Sequence, residues 1–473
     1  MLKIENLTIT YPTKDLLGIK NLSFELPKGS ICLLSGDSGS GKTTLCLAIA
    51  GLLMHARPEA AISGFIEWDK KLISQKVFNP EIAITLENPY SQLTGLKHTV
   101  CEEIAFGLEM QGVPPKEIIQ RIQLIGDKFD IVKLLSRDPR TLSGGEIQKV
   151  VIACSYVQMP KLWVLDWPLT ELDPLTRLTF LKELELIANQ NGTTIFISEE
   201  PAPDIYSIAT HLLIIKKTGE VEFSLNAKKG HIEAVDSSIL PRTITFSKTK
   251  GSNVGIDSFR YPLVEVKELG FQYSPDQLMI FEDLSIRVNS GECLWITGPN
   301  GCGKTTLAKI LVGILKPKKG EVFVNKISPI TEPIWKVARH AAYAFQNPDI
   351  QIFSTNVWNE IFFGPKALGH PEDKCTALTN YALDLFGLGN KKKIHPHDLN
   401  RSERKRLGLA SAFAMDTPVI ILDEPTQFQD TKGKQLVKTA MNEVLSKDKS
   451  ILCITHDLEL SGFKQTTLQP VSI

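Results

Sequence analysis

The chain has 473 residues with 53 basic and 53 acidic side chains, so its formal net charge is +0. This balance argues against nucleic acid as a partner, because nucleic-acid-binding domains carry an excess of basic residues. No apolar run approaches the ~20 residues of a membrane-spanning helix, and the eight cysteines include no C-x-x-C pair, which favours free thiols in a reducing cytosol.

The first half begins with strand patterns that lead into a phosphate-binding motif. Residues 2–10 alternate apolar and polar side chains, and residues 21–26 and 31–34 form two further strand-like stretches. The segment that follows is Gly36-Asp37-Ser38-Gly39-Ser40-Gly41-Lys42-Thr43, which fits G-x-x-x-x-G-K-[ST]. Because strand, glycine loop and helix pattern follow one another, we predict a phosphate-binding loop rather than a chance match.

The second half repeats this order. Strand-like stretches precede Gly298-Pro299-Asn300-Gly301-Cys302-Gly303-Lys304-Thr305, a second copy of the motif. A polar segment rich in lysine, serine and glycine separates the halves, as expected of a linker. Because one unit is used twice, we predict a first domain at 1–226, a linker at 227–262 and a second domain at 263–473.

Each loop predicts a site for a nucleotide and Mg²⁺. Lys42 and Lys304 are expected to reach the β- and γ-phosphates, while the hydroxyls of Thr43 and Thr305 are expected to bind Mg²⁺. The remaining predicted nucleotide-binding residues of the two loops are Gly36, Ser38, Gly39, Gly41, Thr44, Gly298, Asn300, Gly301, Gly303 and Thr306.

A buried strand that ends in an acid follows each loop, and the two copies differ. In the second half, residues 419–425 place Asp423 to hold Mg²⁺ through water and Glu424 to polarise the attacking water. In the first half Asp166 is kept, but Trp167 replaces the base. An indole cannot accept a proton from water, and loss of a general base typically costs 10²–10⁴-fold in rate.

The segment Leu142-Ser143-Gly144-Gly145-Glu146, followed by Gln148, resembles the signature motif of ATP-binding-cassette (ABC) ATPases. The resemblance covers nearly the whole chain as two tandem cassettes and implies that the nucleotide is ATP. It implies an α/β fold in which each cassette has a RecA-like α/β core, an antiparallel β subdomain and a helical signature subdomain. Cassettes of this family pair head to tail, so Ser143, Gly144 and Gly145 would complete the γ-phosphate cage of the other cassette's loop.

Two further family elements also differ between the halves. The glutamine loop of the family appears as Gln346 in the second half, but the first half has Glu87 there. The switch histidine appears as His456 in the second half, but the first half has Glu199. Both glutamates are expected to repel phosphate.

Head-to-tail pairing sorts these differences into two composite sites. Site one would combine the first loop with the second signature, which reads Leu399-Asn400-Arg401-Ser402-Glu403 and has lost its serine and both glycines. Site two would combine the second loop with the intact first signature. The resemblance therefore implies catalysis by Glu424, His456 and Gln346, with Mg²⁺ held by Thr305, Asp423 and Gln346 in site two and by Thr43 and Asp166 in site one.

Four other residues carry hypotheses. Tyr273 and Tyr11 stand where the family stacks an aromatic on adenine; the alternative is an exposed aromatic at a strand end. Arg401 lies in a locally basic stretch that is typical of a solvated helix face, although its charge could instead reach the γ-phosphate of site one. Cys302 is either a small residue that fits the loop or a thiol activated by the helix N-terminus, in which case alkylation would inhibit and ATP would protect.

The run Gln346-Asn347-Pro348-Asp349-x-Gln351 with Phe353 resembles the energy-coupling-factor ATPases of bacterial vitamin and metal importers. This implies a peripheral protein on the cytoplasmic face of the membrane, with a transmembrane coupling subunit and a substrate-binding membrane subunit as partners, and no nucleic acid. Two alternatives stay open: a soluble tandem ABC ATPase that acts on ribosomes or nucleic acid, and a tandem sugar-importer ATPase.

Overall fold

A computed structural model describes residues 1–12, 18–37, 39–200, 202–216, 218–225, 261–273, 279–298, 301–455 and 464–467. The chain divides into two compact units, Met1–Lys248 and Thr249–Ile473, which we call unit 1 and unit 2. The division falls inside the segment 227–262 that the sequence predicts as a linker.

Unit 1 is built from strands and helices in alternation. Its strands are β1 (Leu2–Thr10), β2 (Leu22–Leu26), β3 (Ile31–Gly36), β4 (Ala61–Trp68), β5 (Lys71–Leu72), β6 (Ile82–Thr85), β7 (Leu162–Asp166), β8 (Thr194–Ser198), β9 (His211–Ile215) and β10 (Val221–Leu225). Its α-helices are α1 (Lys42–Ile49), α2 (Leu53–Ala56), α3 (Val100–Met110), α4 (Pro115–Lys128), α5 (Gly144–Tyr156), α6 (Pro174–Asn191) and α7 (Pro203–Ile208).

These strands form two sheets. The core sheet has the order β10-β9-β3-β8-β7-β6 and is parallel except for β10, while the second sheet, β2-β1-β4-β5, is antiparallel. Strands β7, β8 and β9 are buried along their whole length, which explains their continuous apolar sequences. The phosphate loop after β3 and Asp166 at the end of β7 therefore lie at the same edge of the core sheet, where open α/β sheets bind ligands.

Unit 2 follows the same plan. Its strands are β11 (Pro262–Phe271), β12 (Phe281–Asn289), β13 (Cys293–Thr297), β14 (Lys319–Val324), β15 (Ala341–Ala344), β16 (Val419–Asp423), β17 (Ser450–Ile454) and β18 (Lys464–Thr467). Its α-helices are α8 (Lys304–Leu311), α9 (Ile334–Val337), α10 (Val357–Ala367), α11 (Glu372–Leu385), α12 (Arg401–Ala414) and α13 (Thr431–Leu445). The parallel core sheet is β15-β16-β17-β13-β18, and the antiparallel sheet is β12-β11-β14.

The core sheet of each unit has a hydrophobic cluster on either face. In β7 the side chains alternate between them: Trp163 and Leu165 join the cluster that contains helices α3 to α6, whereas Leu162 and Val164 join the cluster with α1 and the antiparallel sheet. This two-residue period is that of any strand packed on both faces. Both sides of the sheet are thus filled, which holds the loops at its carboxyl edge in place.

The architecture agrees with the sequence prediction for both halves. Each unit contains a parallel α/β core, an antiparallel sheet and a group of helices (α3 to α5 and α10 to α12) inserted between two core strands. Within the described ranges, none of the helices is long and apolar enough to cross a bilayer.

Candidate nucleotide-binding sites

The two phosphate loops have nearly the same backbone. Three glycines in each loop have positive φ, with matching values at Gly36 and Gly298 (146° and 147°), Gly39 and Gly301 (79° and 80°), and Gly41 and Gly303 (103° and 98°). Side chains are poorly tolerated in this region of φ, and a Cβ added to Gly36 would lie 2.2 Å from the carbonyl oxygen of Ile215. The glycines are therefore needed to shape the loops. Ser38 and Asn300, also predicted to bind nucleotide, lie outside the described residues.

The loop lysines are folded onto their own loops. Lys42 Nζ donates to the carbonyl oxygens of Gly36 (2.7 Å) and Asp37 (2.8 Å), and Lys304 Nζ donates to that of Gly298 (2.7 Å). Both side chains are buried, and burial lowers the pKa of Lys42. Each lysine is held at the mouth of its loop, where it can reach a phosphate bound by the loop amides.

The two candidate adenine-stacking tyrosines are tethered in the same way. The hydroxyl of Tyr11 lies 2.9 Å from Thr44 Oγ1, and that of Tyr273 lies 2.8 Å from Thr306 Oγ1. The Tyr273 ring is 55% exposed, although its hydroxyl is bonded to the residue that follows the phosphate-loop threonine. An exposed ring fixed beside the loop is suited to stack on a base.

Replacing Tyr273 with alanine is expected to weaken ATP binding by about tenfold, since stacking on an aromatic contributes ~1–3 kcal/mol per base. Tyr273→Phe keeps the ring and removes only the bond to Thr306, so it should bind within about threefold of the wild type. Titration with a fluorescent ATP analogue measures both constants. Equal losses in the two variants would show that the hydroxyl, not the ring, matters.

In unit 2, the surroundings of Asp423 at the end of β16 are suited to binding a cation. Asp423 is 1% exposed, and its Oδ2 accepts hydrogen bonds from Thr305 Oγ1 and the Tyr343 hydroxyl, each at 2.9 Å. Its Oδ1 is buried without a hydrogen-bond partner among the residues that the structure describes. Burial raises the pKa of Asp423. A buried carboxylate oxygen next to a threonine hydroxyl fits a hard divalent cation such as Mg²⁺.

The residue after this acid has the same backbone in both units but a different side chain. Glu424 has φ 47° and Trp167 has φ 53°. Their N–H groups donate to the carbonyl oxygens of Ile454 (2.8 Å) and Ser198 (2.9 Å) at the end of the neighbouring strand. In unit 1, the amine of Lys42 lies 5.6 Å from the centroid of the Trp167 ring, within the range of a cation–π interaction. The Trp167 ring in unit 1 thus occupies the position that the Glu424 carboxylate occupies in unit 2.

Several carboxylates lie around the phosphate loop of unit 1. Asp166, Glu87 and Glu200 each interact electrostatically with Lys42. Glu199 is 4% exposed, and its carboxyl oxygens accept hydrogen bonds from the backbone N–H groups of Leu169 and Glu200, both at 3.2 Å. Burial raises the pKa of Glu199 to about 7. Burial thus favours the uncharged form of the Glu199 carboxyl. The repulsion of phosphate by Glu199 and by Glu87 stays a prediction.

The intact signature begins helix α5. Glu146 Oε2 accepts hydrogen bonds from both the backbone N–H and the hydroxyl of Ser143, each at 2.8 Å. A Cβ added at Gly144 would lie 2.7 Å from Glu171 Oε2 and 3.2 Å from the Tyr90 hydroxyl. The first helical turn is therefore packed against the loop after β7, and glycine permits the close approach. His456, the unit 2 residue that corresponds to Glu199 of unit 1, lies outside the described residues.

In unit 2, residues 428 and 429 pack against the N-terminus of helix α12, which stands at the signature position. The Arg401 guanidinium lies 3.5 Å from the centroid of the Phe428 ring. Ser402 Oγ donates to Gln429 Oε1 (3.2 Å), and Gln429 Nε2 donates to the Ser402 carbonyl oxygen (3.1 Å). Both Arg401 and Ser402 are buried. The buried guanidinium contradicts the solvated face predicted for Arg401. Its contact with the γ-phosphate of site one stays a prediction.

The activated-thiol hypothesis for Cys302 does not agree with the structure. The side chain is 3% exposed, and burial raises the pKa of its thiol above the usual value despite the nearby Lys304. The thiolate is the nucleophile, and a raised pKa leaves less of it at neutral pH. The structure therefore agrees with the other interpretation, in which Cys302 is a small residue that fits the loop.

Alkylation of Cys302 is accordingly expected to be slow compared with that of the more exposed Cys101. Timed treatment of the folded protein with N-ethylmaleimide, followed by peptide mass spectrometry, compares the two residues directly. Cys302→Ala should keep its ATPase activity. Faster labelling at Cys302 than at Cys101 would restore the activated-thiol hypothesis.

The sequence did not predict how the two loops after β6 and β15 are held. Gln351 Oε1 accepts from the Phe345 N–H (3.1 Å), and its amide donates to the Gly408 carbonyl oxygen (2.9 Å). Gln92 bonds in a similar way to the N–H and carbonyl oxygen of Leu86. The identical spacing of Gln92 and Gln351 after Asn-Pro in the two halves is the sequence signal for this common structural role.

The family model for ABC transporters matches residues 19–170 and 281–427, which together cover more than half of the chain. The chain belongs to the ABC transporter family. It is an ATP-binding subunit of an ABC transporter, and it combines two cassettes and the ATP hydrolase activity of that family. The predicted fold class and the resemblance to ABC transporter ATPases are thus confirmed.

Relatives with the same tandem arrangement cover nearly the whole chain. A protein of Methanosarcina acetivorans named as an ABC transporter ATP-binding protein is 31% identical over 97% of this chain and 86% of its own length. YkoD of Bacillus subtilis, named as an HMP/thiamine import ATP-binding protein, is 27% identical over 97% of this chain and 88% of its own length. Among solved structures, a model of ribosome-bound archaeal Pelota and ABCE1 has a TM-score of 0.67 at 20% identity, over 98% of this chain and 76% of that chain, which shows the fold alone.

Proposed function

We propose that this protein is the ATPase subunit of an energy-coupling-factor type importer and that unit 2 carries the catalytic residues. ATP and Mg²⁺ would bind both phosphate loops, but the glutamate that activates water is present only in unit 2. The observation that supports this most directly is the pair of strand ends: Asp423 is followed by Glu424, and Asp166 is followed by Trp167.

In this proposal each residue of unit 2 has a separate task. Lys304 and the loop amides hold the β- and γ-phosphates, and Tyr273 stacks on the adenine. Thr305, Asp423 and Gln346 hold Mg²⁺, which neutralises charge that develops on the γ-phosphate. Glu424 orients the attacking water and accepts its proton, with His456 as the expected partner of the γ-phosphate.

The proposal includes the head-to-tail pairing of the family, which the resemblance implies. Site two then takes its signature, Ser143, Gly144 and Gly145, from unit 1. Site one takes the signature position of unit 2, where Arg401 stacks on Phe428 and Ser402 is hydrogen-bonded to Gln429. Site one would bind ATP without hydrolysing it. At an ATP concentration ~1,000 times the dissociation constant, the bound ATP stabilises the form in which the two cassettes are paired by ~4 kcal/mol.

Vanadate trapping tests this asymmetry. With Mg²⁺, ATP and vanadate, an ATPase retains ADP and vanadate only where hydrolysis has occurred. We expect one trapped ADP per chain, and a photoreactive ADP should label peptides near Tyr273 rather than near Tyr11. Two trapped ADP molecules per chain would contradict the proposal.

Membrane partners are proposed from exposed apolar side chains next to the glutamine loop. In unit 2, Ile350, Phe353 and Phe363 are more than half exposed, and the Phe353 and Phe363 rings pack edge to face with centroids 4.8 Å apart. In unit 1, Leu96 and Met110 are exposed in the corresponding region. Exposed apolar patches of this kind mark interaction sites, and a transmembrane coupling subunit with a substrate-binding membrane subunit would cover them at the cytoplasmic face. The substrate would be a vitamin or a metal ion, and the role named for YkoD, HMP/thiamine import, supports a vitamin.

Purification from detergent-solubilised membranes tests this part of the proposal. The tagged chain is expected to retain two hydrophobic membrane proteins and no RNA, and reconstituted vesicles should then take up the substrate only with ATP. A Phe353→Ser/Phe363→Ser variant should lose the membrane proteins but keep ATP binding. Retention of ribosomal RNA in place of membrane proteins would favour the ribosome-acting alternative.

A further inference from the structure

Helix α12 carries a charged side chain that is almost completely enclosed. Lys405 is 1% exposed, and its amine donates hydrogen bonds to the carbonyl oxygens of Phe345 (2.9 Å), Gln346 (2.9 Å) and Asp423 (2.7 Å). An ammonium has three N–H donors, so these bonds use its full capacity. Because a buried charge is costly unless it is paired and hydrogen-bonded, the arrangement is a specific feature of this site.

The three acceptors lie at the carboxyl ends of two paired strands. Phe345 and Gln346 directly follow β15, and Asp423 is the last residue of β16, which runs parallel to β15 in register. Thr305 and Tyr343 fix the carboxylate of Asp423, while Lys405 fixes its main chain. The glutamine loop and the acidic strand are thereby joined through one side chain of the signature helix.

Among the described residues of unit 1, the equivalent side chain forms no such link. Counting from the N-cap residues Ser143 and Asn400, Gln148 occupies in α5 the position of Lys405 in α12. Gln148 is 0% exposed, and neither polar atom of its side chain has a hydrogen-bond partner within the part of the chain that the structure describes. The lysine link is therefore found in unit 2, which has the full set of proposed catalytic residues, and not in the described part of unit 1, which lacks them.

We propose that Lys405 is a positioning residue that holds Gln346 and Asp423 for the Mg²⁺ of bound nucleotide. Lys405 contacts neither nucleotide nor metal in this proposal; it acts by keeping the two strand ends at a fixed separation. The inference rests on the proposed role of unit 2, but it concerns metal-dependent binding rather than hydrolysis, and the two can be tested separately.

The test measures binding of a fluorescent ADP (mant-ADP) with and without Mg²⁺. In a chain whose first loop is disabled by Lys42→Ala, the signal reports unit 2. Lys405→Met keeps the length of the side chain but removes its charge and donors. We expect the Mg²⁺ concentration for half-maximal enhancement to rise about tenfold, the scale of mutations behind metal ligands, while binding in EDTA changes less than about twofold.

Two further variants separate positioning from general damage to the fold. Arg406→Met removes a neighbouring charge of α12 that donates to the Phe386 carbonyl oxygen rather than to either strand end, so it should leave the Mg²⁺ dependence unchanged. Lys405→Gln, which can satisfy only part of the three carbonyls, should give an intermediate shift, and it decides the question if Lys405→Met does not fold. An unchanged Mg²⁺ dependence, or equal losses with and without Mg²⁺, would overturn the proposal. Retained turnover in Glu424→Gln would instead refute the proposed function and leave the Mg²⁺ titration valid.

Discussion

Glu424→Gln is expected to lower ATP hydrolysis at least a hundredfold while ATP binding stays near the wild-type value. Glutamine has nearly the same size and keeps one acceptor oxygen, but it cannot take a proton from water, and loss of a general base costs 10²–10⁴-fold. The backbone of Glu424 is fixed by its N–H bond to Ile454, so the substitution should not move the loop. Steady-state phosphate release and equilibrium binding of a fluorescent ATP analogue measure the two effects.

Trp167→Glu is the matched control in unit 1, because Trp167 has the same backbone conformation and an equivalent N–H bond to Ser198. A glutamate there restores the residue type of a base but not the signature, the glutamine loop or the switch histidine. Turnover should therefore change by less than about twofold. Near-normal turnover in Glu424→Gln, or a large gain in Trp167→Glu, would show that the catalytic residues have been assigned to the wrong unit.

The parts of the site that the sequence predicts well are those with strict backbone requirements. The glycines of both loops have matching positive φ values, and only glycine adopts such conformations readily. The strand ends were also predictable, since Asp166 and Asp423 each close a short, fully buried strand. Spacing and residue type suffice in these cases because the chemistry is local.

Features that depend on burial were not predicted. The basic stretch that contains Arg401 and Lys405 suggested a solvated helix face, yet both side chains are enclosed. A signal was present: positions 401, 405, 408, 409 and 412 follow the period of a helix and share a buried face. The raised pKa of Glu199 could not be predicted in the same way, because it results from burial of the carboxyl in the folded chain.

The second large effect is expected when the stacked pair Arg401–Phe428 at the N-terminus of α12 is introduced at the start of α5 in unit 1. The residues equivalent to Arg401 and Phe428 are Gly144 and Glu171, and a Cβ at Gly144 points to Glu171. The double variant Gly144→Arg/Glu171→Phe should therefore form the same stacked pair and keep unit 1 folded. It places a bulky cation over the amides of the first helical turn, so these can no longer approach a phosphate.

We expect this double variant to lower turnover by 10²–10³-fold, the effect of removing preorganised donors from a developing negative charge. Its melting temperature should stay within a few degrees of the wild type, and ATP binding to the phosphate loops should persist. Asn400→Ser, which restores a signature serine in unit 2 and keeps a good N-cap, should have little effect on turnover. A folded double variant with normal turnover would contradict head-to-tail completion of site two, since unit 1 would then contribute no signature to the hydrolysing site.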